Sequence, residues 1–212
     1  MISGKNIIAF ASNWNFDPTS KHHVMKILSE QNHVLWVNYH GSRRPQVSVA
    51  DALAIVGKLK QVARGSTWVS DTMLVLTPLL LPLPGSRWAR NVNRKLVALQ
   101  IRKALHRLPS NPVQVWTFAP DVDYLAGQFD EELLLYYCVD EFSEFGGYDP
   151  ESIRRLEGRL MDRADLVITT ATHLQESKSQ HHPATHLVTH GVSYDHFAQA
   201  TSDATSVPPA RQ

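Results

Sequence analysis

Between Gly4 and Gly41 the 212-residue chain has no glycine at all. The first strand-like run, KNIIAFAS, ends inside that interval, so the turn after it cannot be the G-x-G-x-x-G that brings a backbone close to a dinucleotide pyrophosphate. No G-x-x-x-x-G-K-[ST] is present, which excludes a P-loop, and no G-x-S-x-G, which removes the strand-to-helix elbow of a serine hydrolase. Cysteine is nearly absent. The single Cys138 excludes an internal disulfide framework and fits a reducing, cytoplasmic setting. Eleven histidines form no H-E-x-x-H and no Cys/His ligand spacing. His22-His23 and His181-His182 are adjacent pairs that point apart on a helix, so neither a metal nor any other cofactor is expected. The longest apolar stretch, Met73 to Gly85, is too short to span a bilayer and holds three prolines. The start, MISGKNIIAFAS, does not read as a secretory signal. A formal net charge of +1 argues against a nucleic-acid partner.

What is present is an alternation of apolar runs and amphipathic segments. Strands are expected at KNIIAFAS, HVLWVNY, WVSDTMLVLTP, VQVWTF, LLLYYCVDEF, DLVITTA and THLVTHGV. Helices are expected at PTSKHHVMKILSEQ, at SVADALAIVGKLKQVA with Ser48 as its cap, at SRWARNVNRKLVALQIRKALHRL, and at THLQESKSQ. A short one is expected at PDVDYLAGQF. Another, DPESIRRLEGRLMDRA, starts at Asp149 with Pro150 in its first turn. In the long third helix Trp88, Val92, Leu96, Leu99 and Leu105 lie along one side, with Trp88 at its start placed as an interfacial anchor, or with Val92, Leu96 and Leu99 packed on the sheet. Seven strands with intervening helices predict an α/β fold, a Rossmann-like doubly wound parallel sheet. Continuous apolar strands such as LLLYYCV fit burial on both faces.

In such a sheet, ligands bind beyond the carboxyl ends of the strands. After the first strand stand Asn13, Trp14, Ser20, Lys21 and His22. Lys21, His22 and the N-terminus of the following helix suit an anionic or hydroxyl-rich ligand, although Trp14 could equally pack over the sheet edge. After LLLYYC come Asp140 and Glu141. Adjacent side chains alternate in direction, so one of the two is expected to face the crevice, as a base or as an acceptor for a hydroxyl. The alternative role for Asp140 is to cap the following turn. Gly146-Gly147 marks a loop able to move.

Taken in order, SNWNFDPTSKHHVMKIL, HVLWVNY, YYCVDEFSEF, ADLVITTATHL and HLVTHGVSYDHF resemble the N-terminal half of a GT-B glycosyltransferase. The resemblance is to the bacterial envelope and exopolysaccharide type, related to the teichuronic-acid glycosyltransferases. THGVSYDHF is similar to that family's turn before the crossover to its second domain, with His190 in place of the common Asn and Ser193 where Asp is usual. The resemblance implies a GT-B architecture of which residues 1–198 are the acceptor-side domain and 199–212 the start of an interdomain linker. A donor-binding C-terminal domain, absent here, would bind the nucleotide-sugar as a substrate, without metal. The acceptor would be a saccharide or a lipid-linked one. The resemblance maps the acceptor loop onto Asn13 to His22, the residue after the fifth expected strand onto Asp140, and the terminal turn onto His190 and Gly191. The competing reading is a non-catalytic sugar- or acceptor-binding module.

Charge is unevenly placed along the chain. From Thr72 to Pro120 there is no acidic residue, whereas Asp121 to Asp165 holds 13 acids against four arginines. Within the basic half, residues 79–107 combine a proline-rich apolar loop with Arg87, Arg90, Arg94, Lys95, Arg102, Lys103 and Arg107. They are expected to meet an anionic membrane surface, which would make the protein peripheral at the inner face of a membrane.

Overall fold

The computed structural model describes residues 2–16, 18–39, 65–81, 83, 86–191 and 198. The helix expected over 48–63 and the segment 199–212 lie outside the described residues. In chain order the elements are β1 (Asn6–Ala11), α1 (Ser20–Leu28), β2 (His33–Asn38), β3 (Ser66–Ser70), β4 (Met73–Leu76), α2 (Arg87–Leu105), β5 (Val113–Thr117), β6 (Leu133–Cys138), α3 (Pro150–Met161), β7 (Leu166–Thr169), α4 (Thr172–Ser179) and β8 (Thr185–Leu187). Single 3₁₀ turns at Asp123–Leu125 and Phe142–Glu144 follow β5 and β6. The first of these stands where a short helix is expected.

The strands form one sheet in the order β3-β4-β2-β1-β5-β6-β7-β8. Every pairing is parallel except β3 with β4. The single strand expected at WVSDTMLVLTP is instead this antiparallel hairpin, so the sheet has eight strands rather than seven. Its turn falls at Asp71-Thr72, polar residues that favour chain reversal over another rung of ladder. β3 is an exposed edge. It is irregular between Trp68 and Ser70, and the Arg107 guanidinium lies 5.7 Å from the Trp68 ring centre.

Strand order reverses direction between β1 and β5, so the two halves of the sheet wind outward from this pair. Side chains alternate to fill a core on each face. Ile8, Phe10, Leu35, Val37, Leu74, Tyr136 and Val167 meet Val97 and Ile101 of α2 and Leu160 of α3 on one face. Ile7, Ala9, Trp36, Trp116, Leu135 and Tyr137 lie with Met25 of α1 on the other. Fully burying such side chains contributes about 1.5–3 kcal/mol each.

Leu99 does not pack on the sheet, and Trp88 is exposed as expected of an anchor. Ala89, Asn93, Val97, Ala98, Ile101 and Ala104 pack inward, while Trp88 is 64 % exposed and Leu99 65 %. The small residues let the helix lie close to the sheet, and Asn93 is used to hold backbone, donating to the Leu81 carbonyl at 3.0 Å and accepting from the Leu81 N–H at 2.7 Å.

Under α3 and α4 the core contains charge. The Lys178 ammonium lies 2.8 Å from Glu157 and 2.7 Å from Glu141. Tyr136 donates its hydroxyl to the other Glu157 oxygen at 2.7 Å. Ser143 donates to Glu141 at 2.7 Å. Burial works against both charged forms. For Lys178 it is outweighed by Glu157 and Glu141, which together raise the ammonium above its ordinary 10.5. For Glu141 it is outweighed by Lys178 and Ser143, which together hold the carboxyl below 4.5. The raised lysine contributes stability that is complete below pH 10.5 and lost as pH rises through its folded value. The depressed glutamate contributes stability present above pH 4.5 and lost as pH falls through its folded value. Lys178→Met strands the buried Glu157 carboxylate. Urea denaturation at pH 7 is expected to show a loss of about 3 kcal/mol, and Lys178→Met with Glu157→Gln is expected to recover most of it. A Lys178→Met loss under about 1 kcal/mol would mean the network contributes little.

Candidate functional site: the crevice beside β1 and β5

All parallel strands end at one edge of the sheet, and strand order reverses between β1 and β5, the place where sheets of this kind hold their ligand crevice. The segment after β1 is fixed by Asn38, the last residue of β2. Its side-chain oxygen accepts from the Trp14 backbone N–H at 2.8 Å and from the Trp36 indole at 3.1 Å. Its amide nitrogen donates to the Thr77 hydroxyl at 2.8 Å. The Trp36 indole also reaches the Ser12 carbonyl at 3.0 Å. Asn13 closes a local turn, its side chain accepting from the Asn15 N–H at 3.0 Å. Trp14 is half-buried and packs edge-on against Trp36, with ring centres 5.1 Å apart.

His22, 2 % exposed, stacks on Trp36 at 4.6 Å and lies 5.3 Å from Trp14. Its Nδ1 accepts from the Thr19 N–H at 3.1 Å, which leaves the proton on Nε2, a buried nitrogen without a hydrogen-bond partner. Burial lowers its basicity, opposed by a weaker backbone interaction with Trp14, so the ring is held neutral. His22 therefore caps α1 and fills the aromatic layer. Lys21 and Ser20, half-buried, stand at the first turn of the same helix.

Asp140 follows β6, two strands from β1, and is exposed. Burial lowers the Lys21 ammonium, and the charge of Asp140 opposes the drop. Glu141 turns the other way. It pairs with Lys178 and takes the capping role considered for Asp140, accepting from the Ser143 N–H at 3.4 Å. Thr170, after β7, donates to the Val139 carbonyl at 3.2 Å and holds the base of the Asp140 segment. His190 and Gly191, both exposed, follow β8 at the sheet's far edge. Four strands separate them from β1, about 19 Å at 4.8 Å per strand. Gly191 does not take the left-handed backbone that requires glycine.

Sequence reasoning missed a second polar group at the same edge. Tyr39, next after β2, shares a 3.1 Å hydrogen bond with the Tyr124 hydroxyl and donates to the Asp121 carbonyl at 3.4 Å. Arg90 pairs with Asp123, and its guanidinium lies 4.8 Å from the Tyr124 ring centre. Burial, reinforced by Asp121, raises the Tyr39 hydroxyl; burial is also the main reason Tyr124 is raised. Both stay protonated at neutral pH. The one sequence signal was a polar Asn38-Tyr39 pair ending an apolar strand. Among the described residues no three His, Cys, Asp or Glu side chains converge as metal ligands.

The chain shares this fold with solved glycosyltransferase domains. A sucrose-phosphate synthase structure from Thermosynechococcus elongatus matches with a TM-score of 0.52 at 11 % identity, over 92 % of this chain and 94 % of that one. A UDP-glucosyltransferase from Polygonum tinctorium, described as capable of glucosylating indoxyl, matches with a TM-score of 0.48 at 10 % identity, over 99 % of this chain and 56 % of that one. LpCGTa in complex with UDP matches with a TM-score of 0.39 at 12 % identity, over 94 % and 57 %. The chain thus spans little more than half the length of the latter two. The mostly parallel, Rossmann-like sheet is the fold this chain has in common with the sucrose-phosphate synthase structure. No protein-family model and no curated protein sequence matches the chain.

The buried histidine makes the aromatic layer pH-sensitive. Its folded pKa lies below the ordinary 6.5, so its contribution to stability is present above pH 6.5 and lost as pH falls through the folded value. Glutamine is an ordinary residue at this position of a capped helix. His22→Gln is therefore expected to keep the cap and flatten the fall in unfolding free energy between pH 6.5 and 5 relative to the parent. Parallel pH curves for the two proteins would show that His22 does not titrate on unfolding.

Proposed function

We propose that this chain is the acceptor-binding half of a glycosyltransferase of cell-envelope or exopolysaccharide synthesis. The observation that carries the reading is the charge of Asp140 acting on the half-buried Lys21 ammonium, on a domain fold shared with a solved sucrose-phosphate synthase structure. The glycine-free turn after β1 does not suit a dinucleotide. A half-buried ammonium, an exposed carboxylate and the first turn of α1 suit a hydroxyl-rich acceptor, free or lipid-linked. In this reading Asp140 accepts the proton or the hydrogen bond of the attacking hydroxyl, beside the Lys21 ammonium. Asn13, Trp14 and Ser20 line the same side. Glu141 contributes by anchoring the Asp140 segment rather than by touching the acceptor. His190 and Gly191 border the far end, toward a second domain that would bind the nucleotide-sugar. In this reading helix N-termini and basic side chains neutralise the diphosphate, so no metal is required.

The test uses these residues joined to, or mixed with, the domain that binds the donor. Asp140→Asn is expected to lower kcat/KM by about a hundredfold or more with little change in the urea midpoint, because Asp140 is exposed. The 212-residue chain by itself is expected to give no turnover with any nucleotide-sugar. Turnover by the purified chain alone would refute the half-enzyme reading. Saccharide binding without transfer in every pairing would favour the non-catalytic module.

A further inference from the structure

We infer that the outward side of α2, with the apolar loop before it, docks on an anionic membrane surface. The inference rests on that surface alone, whatever the crevice binds. At about 3.6 residues per turn, Trp88, Lys95, Leu99, Arg102 and His106 fall on one line along the helix, with Lys103 beside it. Trp88 and Leu99, 64 % and 65 % exposed, stand with Ile27 of α1 as the most exposed large apolar side chains among the described residues. Leu79 and Leu83, 43 % and 54 % exposed, precede the same helix.

These leucines are held out by construction. Gln100 of α2 donates to the Leu79 carbonyl at 3.0 Å and accepts from the Leu79 N–H at 2.9 Å. Asn93 does the same for Leu81 at 3.0 and 2.7 Å. Two side-chain amides thus fasten the loop backbone along the helix, with Leu80 packed against the core and Leu79 and Leu83 exposed.

The cations around them are largely uncompensated. Arg90 is committed to Asp123, Arg102 donates to the Gln128 carbonyl at 2.7 Å, and Arg107 to Ser66 at 2.7 Å. Arg87, Arg94, Lys95 and Lys103 are exposed and make no ion pair or side-chain hydrogen bond among the described residues. No acidic residue occurs from 72 to 120 to offset them. Cations flanking protruding Trp and Leu match a helix lying in the plane of a lipid interface. A phosphate backbone alone would require the cations but not the leucines. No helix among the described residues is long and apolar enough to cross a membrane, so the contact is peripheral. Because Arg90, in the first turn of α2, meets Asp123 after β5, the docked end of the helix lies beside the crevice.

The test is co-sedimentation of the 212-residue chain with vesicles of phosphatidylcholine alone or mixed with phosphatidylglycerol. Binding is expected only with phosphatidylglycerol, and is expected to weaken as salt rises. Arg87→Glu, Arg94→Glu and Lys95→Glu together are expected to cut partitioning by about a hundredfold, at about fivefold per cation lost. Trp88→Ala with Leu99→Ala should cut it as well, with all charges kept. Far-ultraviolet circular dichroism confirms that each variant is folded. A chain that stays in the supernatant with phosphatidylglycerol at low salt overturns the inference. So does equal binding to duplex DNA that Trp88→Ala with Leu99→Ala leaves unchanged, since that assigns the surface to polyanions in general.

Discussion

One buried amide organises the carboxyl edge of this sheet. Asn38, 5 % exposed, ends β2 and joins three segments at once: the backbone after β1, the indole of Trp36 within β2, and the hydroxyl of Thr77 after β4. A buried primary amide left unpaired costs on the order of 1–3 kcal/mol, so the arrangement is stable only when all three partners are in place. That requirement fixes where Trp14 sits. Trp14 and Trp36 then fix the stack that buries His22, and His22 caps α1. Lys21, the residue before His22, is carried to the crevice as a consequence.

A second constraint works from the other side. The Lys178 ammonium holds Glu141 while it satisfies Glu157, and so ties the segment after β6 to α3 and α4. With Glu141 drawn inward, Asp140 is turned out. The crevice pair therefore depends on two buried polar systems that make no contact with the acceptor in this account. The acid-free stretch of the chain supplies α2 and its outward cations, and the acid-rich stretch supplies the buried network and Asp140.

Much of this was legible in the sequence, for identifiable reasons. Parallel strands buried on both faces appear as largely apolar runs, and β1, β2, β5, β6 and β7 are found where those runs are. Asp149 and Pro150 marked the start of α3, and the Asp149 side chain does accept from the Ser152 N–H at 3.1 Å. The β3-β4 hairpin was hidden because two short strands and their turn share one largely apolar stretch. The inward face of α2 was not legible because hydropathy draws attention to Trp88 and Leu99, whereas close packing on a sheet selected Ala89, Val97, Ala98 and Ala104. The pairing of Lys178 with Glu157, 21 positions apart on different helices, leaves no periodic trace, and neither does Asn38 bonding to Thr77. Of the site, the loop after β1 and Asp140 were read from their positions after strands. The role of His22 as cap and filler was not, because a histidine at a helix start looks the same in sequence whether it faces solvent or an indole.

The central claim is that the crevice beside β1 and β5, with Lys21 and Asp140 at its border, binds a hydroxyl-rich acceptor. An isotope-labelled sample titrated with a panel of hexose and hexosamine oligosaccharides, followed by backbone amide shifts, addresses it directly. The account predicts saturable shifts at residues 12–22 and 139–141 for at least one glycan, weakened when Lys21 or Asp140 is replaced by alanine. Saturable shifts confined to other surfaces, or affinities unchanged by both replacements, would contradict it.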